Sequence, residues 1–277
     1  MTLFVCVFLS VFFFMEKSVT IFSNSHMPEA EHYGLVGYPL GHSFSASFFA
    51  EKFRTEGIDA RYDNYEMPMV DGLRRLADED VKLRGLNVTI PHKQAVIPLL
   101  DTLSAEARAI GAVNVIRIRR DEVGKAVLEG HNSDVIGFVG SLRPLLCEHH
   151  RQALVLGTGG ASRAIVHGLC SLGIHPTYVS RTPDEGRLAY ADLTPEVMAE
   201  NTIIVNCSPV GMSPHIDTYP DIPYHLLTSR HLLYDLVYNP LETRFLALGR
   251  ERGAVVKNGL EMLHLQALAA WDIWQQE

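Results

Sequence analysis

From residue 33 onward, short apolar runs alternate with segments whose apolar positions recur at helical spacing. Strands are predicted over 33–37, 61–66, 85–89, 113–119 and 126–130, the last two flanking a turn at 121–124. Helices are predicted over 48–56, where Phe49 and Phe53 share one face, and over 69–77 and 104–110. A further helix is predicted over 91–100, opened by Pro91, because proline is favoured at the first helical position. The second half continues with a helix over 134–146, a strand ending at Leu156, a helix over 162–172 and a strand over 177–180. An apolar helix over 260–274 closes the chain. Strand and helix in alternation define an α/β protein.

The link between the strand ending at Leu156 and the following helix is Gly157-Thr158-Gly159-Gly160-Ala161-Ser162. A strand, a glycine turn and a helix make a phosphate cradle: glycines admit the backbone to a pyrophosphate, and the helix N-terminus offers free N–H groups. The tract departs from the dinucleotide fingerprint at its sixth position, Ser162, and an ordinary glycine-rich turn stays open as an alternative. Gly173 reads as the cap of the helix. The next strand ends in Ser180-Arg181-Thr182, where binders of NAD place an acidic residue. A guanidinium and two hydroxyls suit a 2′-phosphate, which favours NADP; Asp184 and Glu185 close by oppose it.

At 277 residues, one large or two modest domains are expected. The cradle begins past the midpoint, so two lobes are predicted. Residues 31–131 form an N-terminal α/β substrate-binding catalytic domain, and residues 132–258 a Rossmann-like doubly wound parallel-sheet domain. Residues 259–277 form a helix returning to the first lobe. Residues 1–30 are read as an extension outside the fold. Their apolar run over 3–14 lacks a preceding Lys or Arg and is too short to span a bilayer, so Met15 or Met27 is the expected start.

The apolar fraction of 47% and charged fraction of 20% suit a globular enzyme. A net charge of −8 without a basic run argues against a nucleic-acid partner. Cys6, Cys147, Cys170 and Cys207 form no Cys-x-x-Cys pair, which points away from a metal site and toward reduced thiols in a cytoplasmic protein. No membrane association is expected, and the chain is expected to act as a monomer or homodimer.

Three polar clusters fall at strand ends of the first lobe, where open α/β sheets bind ligands. Ser43 and Ser45, two apart, can both donate to a carboxylate, or one can cap a helix. In Asn87-Val88-Thr89-Ile90-Pro91-His92-Lys93, a helix from Pro91 would set Lys93 in its first turn. A cation there faces the positive end of the helix dipole, which favours release of its proton. In Gly130-His131-Asn132-Ser133-Asp134, Asp134 is either a partner for that lysine or a first-turn helix stabiliser.

In their order along the chain, these clusters resemble the shikimate dehydrogenase family, and the likeness runs from Tyr33 to Trp274. It is carried by Ser43-Phe44-Ser45, Asn87 to Lys93, Gly111-Ala112-Val113-Asn114, Asn132 to Gly137, Gly157 to Ser162, Asn206 to Met212, Asp235 to Pro240, and Asn258 to Gln266. The resemblance implies reversible NADPH-dependent reduction of 3-dehydroshikimate to shikimate, on the route to aromatic amino acids. It implies that Lys93 and Asp134 flank the reacting oxygen and that Ser43, Ser45 and Thr89 hold the carboxylate. Asn114 and Gln266 would bind ring hydroxyls, with Tyr238 beside the substrate. Gly157, Thr158, Gly159, Gly160, Ala161, Ser180, Arg181, Thr182, Ser208 and Gly259 would line the cofactor. Read alone, Gln266 is a lone amide in an apolar helix that needs a buried partner, a substrate hydroxyl or a backbone carbonyl.

The chain departs from the family's pattern. Ala46 replaces a proline, Ser133 a threonine, and the stretch 180–206 is short enough to drop a helix and an edge strand. Two alternatives remain: a quinate/shikimate dehydrogenase using NAD, and a non-catalytic nucleotide-dependent sensor. Retention of both Lys93 and Asp134 argues against the sensor.

Overall fold

A computed structural model describes residues 30–41, 44–182 and 186–276. Ser43 and the extension before residue 30 lie outside these residues, as do Asp184 and Glu185. The first sheet is built from β1 (Glu31–Gly37), β2 (Ala60–Glu66), β3 (Leu83–Val88), β4 (Thr102–Leu103), β5 (Val115–Arg120) and β6 (Ala126–His131). Its order is β2-β1-β3-β5-β6-β4. β1 runs parallel to β2 and β3, while β5 pairs antiparallel with β3 and β6. The predicted 121–124 turn closes the β5–β6 hairpin, with Asp121 and Lys125 joined through their backbones.

Helices α1 (Phe44–Glu56), α2 (Leu73–Glu79) and α3 (Ala105–Ile110) accompany this sheet. Ser104 caps α3, its Oγ accepting from the Ala107 amide at 3.0 Å. On one face of the sheet Leu73, Ala77, Leu86, Val96 and Ile116 form a core. On the other, Phe49 and Phe53 of α1 do pack together as their spacing requires, with Tyr33 and Trp274.

The helix predicted over 91–100 does not form. Residues 90–96 wind as separate turns, followed by a short 3-10 segment over Ile97–Leu99. Pro98 falls inside the segment, has no N–H to continue a helical ladder and crowds the preceding turn. Lys93 therefore sits in a turn and not at a helix N-terminus. Two other expectations shorten for related reasons. The helix over 69–77 begins as a 3-10 turn over Val70–Gly72, and the one from residue 134 ends as α4 (Asp134–Leu142) with a 3-10 turn that contains Pro144.

The second sheet contains β7 (Gln152–Leu156), β8 (His175–Val179), β9 (Arg187–Leu188), β10 (Ile203–Asn206), β11 (Leu232–Asp235) and β12 (Val255–Lys257). All pairings are parallel, and the order is β12-β11-β10-β7-β8-β9. Strand order reverses beside β7, the topological switch point of a doubly wound fold. α4, α5 (Gly160–Ser171) and α8 (Leu260–Trp274) cover one face through Phe138, Ile165, Leu169 and Met262. α6 (Pro195–Glu200) and α7 (Arg244–Glu251) cover the other through Met198, Phe245 and Leu246. The central strands β7, β10 and β11 read as near-continuous apolar runs because both their faces are buried.

The loss expected in the 180–206 stretch is not seen: α6 lies within it, and so does an edge strand. That strand is the two residues of β9, and among the described residues no helix separates it from β8. Two ladder positions are enough to pack the partly buried Leu188 against the core of this face. Among the described residues no helix is long and apolar enough to cross a membrane.

α8 belongs to both halves. Its start packs on α4, and its end lies on the first sheet, where the Trp274 indole N–H donates to the Ile116 carbonyl at 3.1 Å. Gly85 of β3 leaves the slot: a Cβ there would stand 2.3 Å from the indole nitrogen.

Candidate active site

The turn after β3 and the start of α4 bring together Lys93 and Asp134. Lys93 Nζ donates to Asp134 Oδ2 at 2.5 Å, and both side chains are largely withdrawn from solvent at 13% and 8% exposure. The Lys93 backbone is pinned separately, its carbonyl accepting from the Val113 amide at 2.7 Å. Buried Asn114 organises the opposite side of the carboxylate. Its Nδ2 donates to Asp134 Oδ1 at 2.9 Å and Ser133 Oγ at 3.0 Å, while its Oδ1 accepts from the Ser133 amide. Gln266 reaches in from α8, with Oε1 3.5 Å from Asn114 Nδ2 and 3.4 Å from Ser133 Oγ. Its Nε2 donates to the Leu263 carbonyl at 3.0 Å, so the backbone partner weighed from sequence is present.

A second polar line runs from this cluster to the start of α1. The Asn87 amide faces the Asn114 carbonyl at 3.4 Å, and the Tyr62 hydroxyl donates to Asn87 Oδ1 at 2.8 Å. Ser45 hydrogen-bonds the same phenol, whose titration burial pushes well above its usual range. Thr89 lies at the end of β3 with its methyl against Gly37 of the neighbouring strand. Ser45, Thr89, Asn114 and Lys93 therefore line one strand-end region of the first sheet. Tyr238 approaches from the second sheet: its ring meets Phe44 edge-on with centroids 6.3 Å apart. Burial raises the Tyr238 phenol, which keeps it a hydrogen donor.

The glycine turn faces the same space. Gly157 adopts φ +105°, and a Cβ there would stand 3.4 Å from the Ser208 amide nitrogen. Around Gly159, the N-cap of α5, nothing lies within 4 Å of a notional Cβ. Gly160 instead rests against the catalytic candidate, with 3.2 Å between its notional Cβ and Lys93 Cβ. The first-turn amides over Gly160 and Ala161 have no intrahelical partner, as at any helix start, so this open, amide-lined cradle fits a pyrophosphate. Ser162 fills the sixth position without loss, its Oγ donating to the Gly159 carbonyl at 2.7 Å from a fully buried site.

The remaining cofactor candidates divide. Ser208 is held by Asn206, whose Oδ1 accepts from both the Ser208 amide at 3.1 Å and its hydroxyl at 2.6 Å. Gly259 is there for close approach: a Cβ would fall 2.2 Å from the Leu236 carbonyl oxygen. Ser180, Arg181 and Thr182 stand apart at the end of β8. The Ser180 hydroxyl accepts from the Thr182 amide at 3.2 Å, and Arg181 is exposed. Thr158 is exposed beside the cradle, and Ala161 continues it into α5. Residue-by-residue reading did not single out Tyr62, or the roles of Asn87 and Asn206. Each acts through a neighbour, and a tyrosine in an alternating edge strand looks like packing.

An interlobe cleft with a buried lysine–carboxylate pair on one wall and a dinucleotide cradle on the other defines a two-lobe, nucleotide-dependent dehydrogenase. Residues 35–116 match the model for the shikimate dehydrogenase substrate binding domain. A protein named shikimate dehydrogenase (NADP(+)) from Desulforamulus reducens is 34% identical over 267 residues, covering 87% of this chain and 88% of that protein. The crystal structure of shikimate dehydrogenase from Aquifex aeolicus superposes with a TM-score of 0.78 at 32% identity, over 90% of this chain and 93% of that one. The Thermus thermophilus enzyme, solved in complex with NADP(H) and shikimate, superposes with a TM-score of 0.76 at 31% identity, over 88% and 93% of the two chains. The chain belongs to the shikimate dehydrogenase family.

Proposed function

We propose that the protein catalyses the reversible reduction of 3-dehydroshikimate to shikimate, using NADPH. The observation that carries this reading is the Lys93–Asp134 pair pressed against Gly160 of the phosphate turn. That contact puts a proton donor beside the place where a dinucleotide would lie. The cofactor, when bound, supplies the hydride. Lys93 Nζ gives a proton to the C3 oxygen as the carbonyl becomes a hydroxyl and takes it back in reverse, while Asp134 orients the ammonium. Ser45 and Thr89, with Ser43, bind the carboxylate. Asn114 and Gln266 bind ring hydroxyls by exchanging their present intramolecular bonds for substrate ones. Tyr238 closes the substrate's other side.

Gly157, Thr158, Gly159, Gly160 and Ala161 cradle the pyrophosphate, with Ser208 and Gly259 on the nicotinamide side. The guanidinium of Arg181, with the Ser180 and Thr182 hydroxyls, recognises the 2′-phosphate. Residues 31–131 and 132–258 act as the two lobes, with 259–277 tying the second back to the first. The protein works in the cytoplasm as a monomer or homodimer; among the described residues Cys147, Cys170 and Cys207 are free thiols.

The test is absorbance at 340 nm with shikimate or quinate, each with NADP+ or NAD+. Turnover of shikimate with NADP+ is expected to dominate. Dominant turnover of quinate with NAD+ would replace this reading with a quinate dehydrogenase, and silence in all four mixtures would leave a nucleotide-binding sensor.

A further inference from the structure

One buried carboxylate has no part in the chemistry above. Asp235 ends β11 with no solvent exposure. Its Oδ1 accepts from Asn206 Nδ2 at 2.9 Å and from the Val237 amide at 3.0 Å; its Oδ2 accepts from Thr243 Oγ1 at 2.6 Å. No cation is among the groups that shift it. The titratable groups that sense its charge are Cys207, after β10, and Tyr224, in the 3-10 turn Tyr224–Leu226. Burial leads the causes that raise both, so both stay neutral near pH 7. Three donors on two oxygens therefore hold an otherwise unpaired charge.

Two of the three donors lead to the cleft. Asn206 turns its other end to Ser208, accepting from that residue's amide and hydroxyl, and its Nδ2 also faces the Val210 carbonyl at 3.2 Å. Val237 immediately precedes Tyr238. Gly259 is packed on the backbone between them, 3.2 Å from the Asp235 carbonyl by its notional Cβ. One carboxylate thus joins the Ser208 loop, the Tyr238 loop and the start of α7.

We propose that Asp235 is a positioning residue for the nicotinamide side of the cleft, and that it tunes dinucleotide affinity by holding Ser208 and Tyr238 in one fixed arrangement while ionised. This rests on the proposed dinucleotide binding. The two oxygens of a carboxylate receive all three donors as charge-assisted bonds, whereas a protonated carboxyl must itself donate, to the Thr243 hydroxyl, and its bonds from Asn206 and Val237 lose their charge assistance and loosen. Burial lifts this carboxyl to about 6, so the loosening falls within an accessible range.

The experiment is NADPH binding by fluorescence from pH 5.5 to 8 for the wild type and for Asp235→Asn, with circular dichroism as the folding control. At pH 8 the variant should bind roughly tenfold more weakly, the scale of one hydrogen bond to a charged group. The gap should close as the wild-type carboxyl protonates toward pH 5.5. The ratio of the two constants cancels titration of the cofactor's own phosphate. Asn206→Ala, which cuts the link to Ser208, should weaken binding similarly and serves if Asp235→Asn fails to fold. Folded variants that match the wild type throughout, or a ratio that stays constant with pH, would overturn the proposal. A wild type that binds no NADPH overturns both this inference and the dinucleotide reading beneath it.

Discussion

At the residue scale, the proton donor proposed at Lys93 is held by its neighbours rather than by a helix. A carboxylate at 2.5 Å keeps the ammonium aimed, and Asn114 keeps the carboxylate aimed. Lys93→Ala should lower kcat by at least about a hundredfold, in line with general acid–base contributions, while the NADPH dissociation constant holds. Single-turnover kinetics and fluorescence binding separate the two; unchanged kcat would remove Lys93 from the chemistry. Asp235 adds a stability effect with a definite sign. Its folded value of about 6 lies above the ordinary carboxylate value of 3.8, so the folded state holds the proton more tightly. Stability should therefore fall as pH rises from about 4 to about 6, by up to about 3 kcal/mol, and level off above. Urea denaturation across that range should lose this component in Asp235→Asn.

At the element scale, the proposed recognition of the 2′-phosphate rests on the strand end of β8. Arg181→Ala should raise KM for NADPH about tenfold or more and leave KM for NADH nearly unchanged, the scale of a charge-assisted hydrogen bond. Equal effects on both would place the phosphate elsewhere. The sequence carried most elements because burial on two faces writes apolar runs, as in β7 and β10, and turn residues mark their ends. It failed where the deciding contacts are remote or small. Pro98 outweighed the Pro91 start signal, so the lysine was expected at a helix that does not exist. The two residues of β9 carry no pattern of their own. Asn206 and Asp235 lie 29 positions apart, and neither announces that it supports Ser208.

At the scale of the whole molecule, α8 is the strut between the two sheets. Trp274 sits in the slot above Gly85 among Tyr33, Phe49 and Phe53, 6% exposed. Trp274→Ala should destabilise the protein by about 3–5 kcal/mol. For a chain of this size that lowers Tm by roughly 10 °C, measurable by calorimetry. Gly85→Ala should act in the same direction by forcing the indole out.

The same helix bears on the order in which the protein can be made. The core between α1 and the first sheet includes Trp274, which is synthesised after every strand of both sheets. The second sheet has all its strands at Lys257, before α8 begins. The lobe synthesised first is therefore the lobe finished last, and until α8 has emerged its aromatic face stays open to chaperones and to neighbouring nascent chains.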